Sequence, residues 1–457
     1  MDKYSLTPRE VPPVETRWRR IRTKLPVPES LPLLRQLREN EPRSMAGQPP
    51  LVWHRAEGCQ VFDPWGNVWL DWSSGVLVTN VGHGHPRIRE ALAEMIDRPL
   101  LATYVFPHEK RAEHVKLLAD LSPPPLKRVF LLSTGSESVE CAIKLSMTWG
   151  IKQGGKKKTV LVSFENAFHG RTLGAQLAGG LPHLKEWIAR PDPGFVQVPF
   201  PDGFKNPDQS FSLFEKTLSE KGVNPDDVCA VLTETFQGVG PDFMPEEYAQ
   251  ELRRWCDEHG ALLIFDEIQA AFGRTGTFWG FEHYGIVPDL VTLGKGITSS
   301  LPLSAVIGRP DVMDLYPPGS MTSTHSASPL PVAAALANLK VLKEEGLLAH
   351  VREMGPILRD GLTRVQAQWP EVLGCVQAKG LVAGIQVVKP GTREPYPELA
   401  LAINTCCFEK GLLMFAPVGV RGECLKICPP LSIPEDALRE GIEVLEEAVR
   451  EVRSSWS

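Results

Sequence analysis

The sequence has no Cys-x-x-Cys pair, although it holds nine cysteines, at 59, 141, 229, 256, 375, 406, 407, 424 and 428. Nine is an odd number and most of them lie among apolar residues. They therefore read as buried thiols of a reducing cytoplasm, not as a disulfide framework. Cys424 and Cys428 are neighbours, but no further pair of ligands stands at a zinc-site spacing, so no metal is expected. No stretch approaches the ~18 apolar residues of a membrane helix, so no membrane is expected either. A basic excess is also missing: 49 Lys and Arg face 55 Asp and Glu, for a net charge of -6, which argues against a nucleic-acid partner. The one dense basic cluster is Arg17, Arg19, Arg20, Arg22 and Lys24. It reads as a solvated or interface arm. Asp2, Glu10 and Glu15 interrupt it and no apolar segment follows, so a presequence is not expected. There is no internal repeat and no low-complexity tract.

The chain is long enough, at 457 residues with 42% hydrophobic and 23% charged, to bury a core without disulfides or metals. Residues 1–50 are rich in Pro, Arg and Glu and predict an extended arm with one short helix. Residues 51–80 hold a hairpin, Cys59–Asp63 and Val68–Trp72 around Pro64-Trp65-Gly66-Asn67. His83-Gly84-His85-Pro86 reads as a turn entering a helix with Pro86 in its first turn, and Ile88, Leu92 and Ile96 predict its apolar face. Across residues 81–330, short apolar runs alternate with helical stretches: Val129–Leu132, Val160–Phe164, Val228–Thr233, Leu262–Phe265, Leu290–Leu293 and Ala305–Ile307. The clearest helix is Pro245–His259, with Pro245 in its first turn, Tyr248, Leu252 and Trp255 on one face and Gly260 at its end. The expected fold is α/β: a large domain with a mainly parallel central sheet flanked by helices. A long helix from Val332 to about Leu348 then opens a smaller α+β domain, residues 331–457, which recruits the N-terminal hairpin.

Four segments carry chemistry. Asp266 ends the apolar run Ala261–Phe265 at the carboxyl end of a strand, where open parallel sheets bind ligands. An acid so placed needs a partner, and a cationic pyridinium nitrogen is one, although capping explains many strand-end acids. Lys295 follows another strand end, between Gly294 and Gly296. Little water there lowers a lysine's pKa and suits it to attack an aldehyde; the plain alternative is a surface turn. A phosphate loop is excluded, because Asp289 stands where the first loop glycine belongs and Gly296 replaces the Ser or Thr. Ser133-Thr134-Gly135-Ser136-Glu137-Ser138 opens a helix whose free N–H groups suit a phosphate or a simple cap. In Phe168-His169-Gly170-Arg171-Thr172, the ring of Phe168 can stack on a planar ligand and Arg171 can grip a carboxylate. Each signal is ambiguous alone. Jointly they place a phosphate cradle, an aromatic cover, an acid and a lysine at one sheet edge, the set that pyridoxal 5'-phosphate (PLP) chemistry requires.

The chain resembles the class III aminotransferases of PLP fold type I over roughly residues 50–450. Carrying the resemblance are Gly82–Pro86, Ser133–Glu140, Phe168–Thr172, Leu263–Gln269, Phe272–Gly276, Pro288-Asp289 with Gly294-Lys295, and Pro429-Pro430-Leu431, in the family's order. It implies that Lys295 is the Schiff-base lysine and Asp266 the partner of the ring nitrogen. Gln269 would approach the ring's phenolic oxygen, Phe168 would cover one ring face with His169 beside it, and Gly135 and Ser136 would hold the phosphate. Thr324, in Ser323-Thr324-His325-Ser326, is similar to the family's threonine that reaches the neighbouring subunit's cofactor. That implies a homodimer with shared active sites, with tetramers of two dimers also open.

The substrate side departs from the family. Many ω-amino-acid members pair a glutamate in Gln-Gly-Glu-Gly with an arginine before Pro-Pro-Leu. Here the matching residues are Val239 and Lys426, so that switch is not expected to operate. Arg171 matches a carboxylate-binding arginine of the family, and Arg421 lies in a loop where amine transaminases place a mobile arginine. The segment Thr324–Pro331 resembles dialkylglycine decarboxylase, but Val76 and Phe168 replace that enzyme's Gln and Trp. The expected reaction moves an amino group from an ω-amino acid or primary amine to a keto acid such as pyruvate or 2-oxoglutarate. The alternatives are other PLP reactions on the same scaffold: decarboxylase, racemase or epimerase, or phospho-lyase. A non-catalytic sensor would need a DNA-binding domain, for which the Pro-rich arm is too short.

Overall fold

The apolar runs in the middle of the chain become the strands of one sheet. The structure is a computed structural model that describes residues 3–456. In it, β1 (Arg128–Leu132), β2 (Val160–Phe164), β3 (Phe195–Val198), β4 (Val228–Glu234), β5 (Leu262–Asp266), β6 (Leu290–Leu293) and β7 (Ser304–Gly308) lie in the order β1-β7-β6-β5-β4-β2-β3. Strand β7 runs antiparallel to both of its neighbours, and every other pair is parallel. Every residue of β4 to β7 is buried. Such strands have apolar neighbours on both faces, so they read as unbroken hydrophobic runs without alternation. Strand β3 was not expected. It is four residues long, carries Gln197 and sits at the sheet's edge, too short and mixed to give a pattern.

Helix α1 (Pro86–Asp97) begins at Pro86 as expected, but its buried residues are Ile88 and Met95, and Ile96 is 60% exposed. At ~100° per residue the seventh residue after Ile88 returns to the same face, whereas the eighth swings well past it. Helix α2 spans Glu109–Leu121. Helix α3 (Gly135–Gly154) starts with a full capping box between Thr134 and Glu137 and packs Val139, Ala142, Ile143 and Leu145 into the core with the strands. Helix α4 (Glu246–Glu258) buries Tyr248, Leu252 and Trp255; Pro245 is its N-cap residue and not part of its first turn. The long run after Val332 is two helices. Helix α5 (Pro329–Glu344) ends before Gly346, which takes φ +69°, and a second helix runs Leu347–Gln368.

Two compact units divide at different points from those expected: one is Pro86–Leu348, and the other joins the chain up to His85 with the chain from Ala349 onward. Helix α5 therefore belongs with the seven-stranded sheet, not with the C-terminal domain. It packs on α1 and α2 and is buried nearly all round, from Val332 to Leu339 without a break, as an apolar helix without a polar face must be.

The second unit also absorbs the N-terminal arm. Val14–Glu15 and Arg20–Ile21 pair with each other, and Arg20 pairs with Val68, joining the hairpin Gln60–Phe62 and Val68–Asp71. Ile21 is fully buried with Val61, Trp69 and Phe408. The basic cluster is matched by acids: Arg17 meets Asp436 at 3.1 Å, Arg19 meets Glu440 at 2.6 Å, and Arg20 and Arg22 meet Glu15 at 3.0 and 2.8 Å. A three-stranded antiparallel sheet, Leu373–Lys379, Val382–Val387 and Cys424–Ile427, and the helices Pro397–Glu409 and Glu435–Trp456 complete this unit.

The tightest contact of α3 is at Gly150. A Cβ there would stand 1.9 Å from the Lys158 carbonyl oxygen and 2.6 Å from Cys229 Cβ. Gly150→Ala should cost about 3 kcal/mol through overpacking against backbone, read as a lower urea midpoint of the cofactor-free protein.

Candidate active site

Strands β1, β2, β4, β5 and β6 all point the same way, so their carboxyl ends share one edge of the sheet. Asp266 closes β5 and is 4% exposed. One of its oxygens accepts the Ile268 N–H at 3.1 Å, and the other is 2.8 Å from His169 Nδ1. His169 arrives on the loop after β2 and is fully buried. Burial opposes its charge, but the Asp266 carboxylate outweighs that and raises the imidazole above its ordinary pKa.

Lys295 follows β6 with φ +42°, a left-handed conformation that few non-glycine residues adopt. A Cβ on Gly294, its predecessor, would lie 3.5 Å from the Gly135 Cα, so the lysine's strand end rests against the start of α3. The same start meets the loop after β2, where Arg171 N–H donates to Ser136 Oγ at 3.3 Å. In the α3 capping box, the Glu137 carboxylate accepts the N–H groups of Ser133 and Thr134, and the Thr134 hydroxyl accepts that of Glu137. The box leaves the first-turn N–H groups of Gly135 and Ser136, which have no acceptor within a helix. Phe168 is half-buried, and the guanidinium of exposed Arg171 lies 5.6 Å from its ring centroid. Gln269 lies over Gly238, where a Cβ would be only 1.8 Å from its Nε2.

One sheet edge thus brings together Gly135, Ser136, Phe168, His169, Asp266, Gln269 and Lys295. Thr324 is exposed, in the turn before α5, in the same unit. The other three expected residues belong to the other unit. Val76 is exposed and takes φ +65° within a left-handed turn, Ser74 to Leu77. Arg421 is exposed, and its backbone N–H donates to Glu423 at 2.8 Å. Lys426 is only 2% exposed in its strand, with its ammonium 6.0 Å from the Phe415 ring centroid.

Two buried acids accompany Asp266. Glu234 ends β4 and was missed, although an acid closing an apolar run is the very signal used for Asp266. Its pKa is pushed up to about 7, chiefly by burial. Glu267 follows Asp266 and is also pushed up to about 7, again by burial, against hydrogen bonds from the Thr235 hydroxyl and the Gly280 N–H.

These residues fit PLP. Two glycines, Gly135 and Gly294, let the start of α3 and the strand end before the lysine approach each other closely around Ile268. The helix start offers N–H donors to a phosphate, and Asp266 has accepting capacity beyond its two protein partners.

A family model, "Aminotransferase class-III", matches residues 43–449. The chain belongs to the class III aminotransferases. It is a PLP-dependent enzyme of fold type I. It is 33% identical over 411 residues to a probable 4-aminobutyrate aminotransferase of Bacillus subtilis, covering 87% of this chain and 92% of that protein. To an alanine/serine racemase of Pyrococcus horikoshii it is 32% identical over 419 residues, covering 88% and 86%. Among solved structures, a PLP-bound amine transaminase from an uncultivated Pseudomonas species matches with a TM-score of 0.81 and 27% identity, over 88% of this aminotransferase and 95% of that chain.

Glu267 gives the enzyme a pH signature. Its ordinary pKa is 4.5 and its folded value is about 7, so between them the folded chain keeps a proton that the unfolded chain has released. Its contribution to stability therefore falls as pH rises through that window. Glu267→Gln removes this slope, and the amide fits, because the Thr235 hydroxyl can accept from Nε2 while Oε1 keeps the Gly280 N–H. The Tm of the cofactor-free variant, relative to wild type, should climb from about pH 4.5 to 7; a flat difference would mean that Glu267 is ionised throughout.

Proposed function

We propose that this aminotransferase takes the amino group of an ω-amino acid or a primary amine and passes it to a keto acid such as pyruvate or 2-oxoglutarate. The observation that carries the reading is the buried Asp266–His169 pair, on the same sheet edge as Lys295 and the start of α3. Bound PLP supplies an electron sink for the charge released at the substrate's reacting carbon. The protein supplies the rest. Lys295 holds the cofactor's aldehyde, and its amine moves the proton at that carbon. Asp266 keeps the ring nitrogen protonated, and His169 fixes the orientation of Asp266. Gly135 and Ser136 hold the phosphate, Phe168 covers one ring face, and Gln269 bonds the phenolic oxygen. Thr324, exposed on one subunit, reaches the cofactor phosphate of its partner in a homodimer, whether or not two dimers pair.

The substrate's carboxylate is the task of Arg171, exposed beside Phe168. Val239 carries no charge, and Lys426 offers a buried point charge and not a planar fork, which supports an enzyme without the glutamate–arginine screen. The nine free cysteines, all but Cys375 buried among the described residues, support a cytoplasmic location. A second reading, racemisation, rests on the racemase relative and uses the same lysine and acid.

Amino donors should bleach the visible band of the bound cofactor, and pyruvate or 2-oxoglutarate should restore it; a product that is only the donor's mirror image would favour racemisation. Lys295→Ala should lose the cycle altogether. Arg171→Ala should raise KM for ω-amino acids roughly tenfold, by loss of a charge-assisted pair, while plain amines react as before. Equal losses for both donor classes would remove Arg171 from substrate binding.

A further inference from the structure

We propose that Glu234 is a positioning residue of this active site: its single buried carboxylate ties the loop that carries Phe168 to the turn at Gly238, over which Gln269 lies, and stands beside Asp266, so that the enzyme's hold on PLP depends on it. The proposal rests on the reading of those three residues given above. Glu234 Oε2 accepts the backbone N–H of Phe168 at 3.0 Å, and Oε1 accepts that of Gly238 at 2.8 Å. The first bond fixes the loop that presents the aromatic cover and, one residue on, His169. The second fixes the glycine over which Gln269 lies. The absence of a side chain at Gly238 permits this: a Cβ there would be 2.9 Å from Glu234 Oε1 and 1.8 Å from Gln269 Nε2 at once.

The third link is electrostatic. Glu234 is the register partner of Asp266 across the parallel pair β4–β5, so two acids end neighbouring strands side by side, both 4% exposed. The charged and titratable neighbours of Glu234 are His169, which stabilises its charge, and Asp266, which opposes it. A loop anchor needs no charge, and a carboxylate beside another carboxylate is a costly choice for one. Where it is ionised it deepens the negative potential around Asp266, which favours a protonated ring nitrogen; because burial pushes its pKa up to about 7, this effect grows as pH rises through neutrality. Glu234 touches neither the substrate nor the reacting atoms in this scheme. It acts through Phe168, Gln269 and Asp266.

The test uses the holoenzyme. Glu234→Gln keeps one accepting oxygen, loses one of the two N–H ties and removes the charge. Glu234→Asp keeps the charge but is too short to hold both ties. The rate of PLP release on dialysis, the pH dependence of the bound cofactor's visible band, and kcat and KM for the first half-reaction are measured for both, with the Tm of the full chain. The expected result for Glu234→Gln is release roughly tenfold faster or more, a band that titrates at a different pH from wild type, and a lower kcat at nearly unchanged KM. Glu234→Asp should speed release with a smaller change in the titration, and it carries the test alone if the amide variant does not fold. Wild-type release and titration in a folded variant, or a fall in Tm alone, would overturn the proposal. Wild-type enzyme that no amino donor bleaches would instead overturn the functional reading, whatever the variants do.

Discussion

A carboxylate closing a wholly buried strand is the constraint around which the large unit is arranged. Asp266 stands at the end of Leu262–Asp266, a strand without an exposed residue. Left unpaired there, its charge would be costly. Two elements of the protein answer that cost. The chain's own turn donates the Ile268 N–H. The loop after β2 brings in His169, itself fully buried and drawn toward its charged form by the same acid. The accepting capacity that remains on Asp266 is what the proposed bond to the cofactor's ring nitrogen would use. The protein places its charge where a parallel sheet leaves an opening and then builds loops to that charge.

Close approach is the second condition, and glycine meets it where a larger residue could not. Gly294 and Gly135 bring the end of β6 against the start of α3, and Gly170 lies where a Cβ would press within 2.4 Å of Ser136 Oγ. Each of these contacts joins two segments that carry expected site residues. The loops therefore have little freedom to separate without breaking more than one contact, which is how irregular segments hold side chains to the tolerance a reaction needs.

The legible part of this structure is the part that obeys one rule at a time. Six of the seven strands stood out as apolar runs, because strands buried on both faces need nothing else. Lys295, Asp266 and Gly135 stood out because strand ends and helix starts are where ligands bind. What escaped was decided by tertiary context. Ile96 carries an apolar side chain on a helix whose buried face is set by Ile88 and Met95. Helix α5 gave no sign of which unit it joins, since a nearly all-apolar helix fits either core. The left-handed turn at Ser74, Val76 and Leu77 has no sequence signal, because such residues avoid that region. It is held by bonds distant in sequence, from Ser74 Oγ to the Cys428 carbonyl at 2.6 Å and between Asp71 and His83 at 2.7 Å.

Glu234 escaped for a different reason. The rule that found Asp266, an acid at the end of an apolar run, applies equally to it, but two adjacent strands closing on acids look improbable when each strand is read alone. The register settles the matter: Glu234 and Asp266 are direct partners, and His169 bonds one while it stabilises the charge of the other. His169 favours the ionised form of Glu234, but burial and Asp266 oppose it and push its pKa up to about 7, so the two acids share their buried space with Glu234 gaining its charge only around neutral pH. The imidazole thus ties the two strand ends into one charged group. A change at any of the three alters the electrostatic setting of the others, so their effects on the enzyme cannot add as independent sites would.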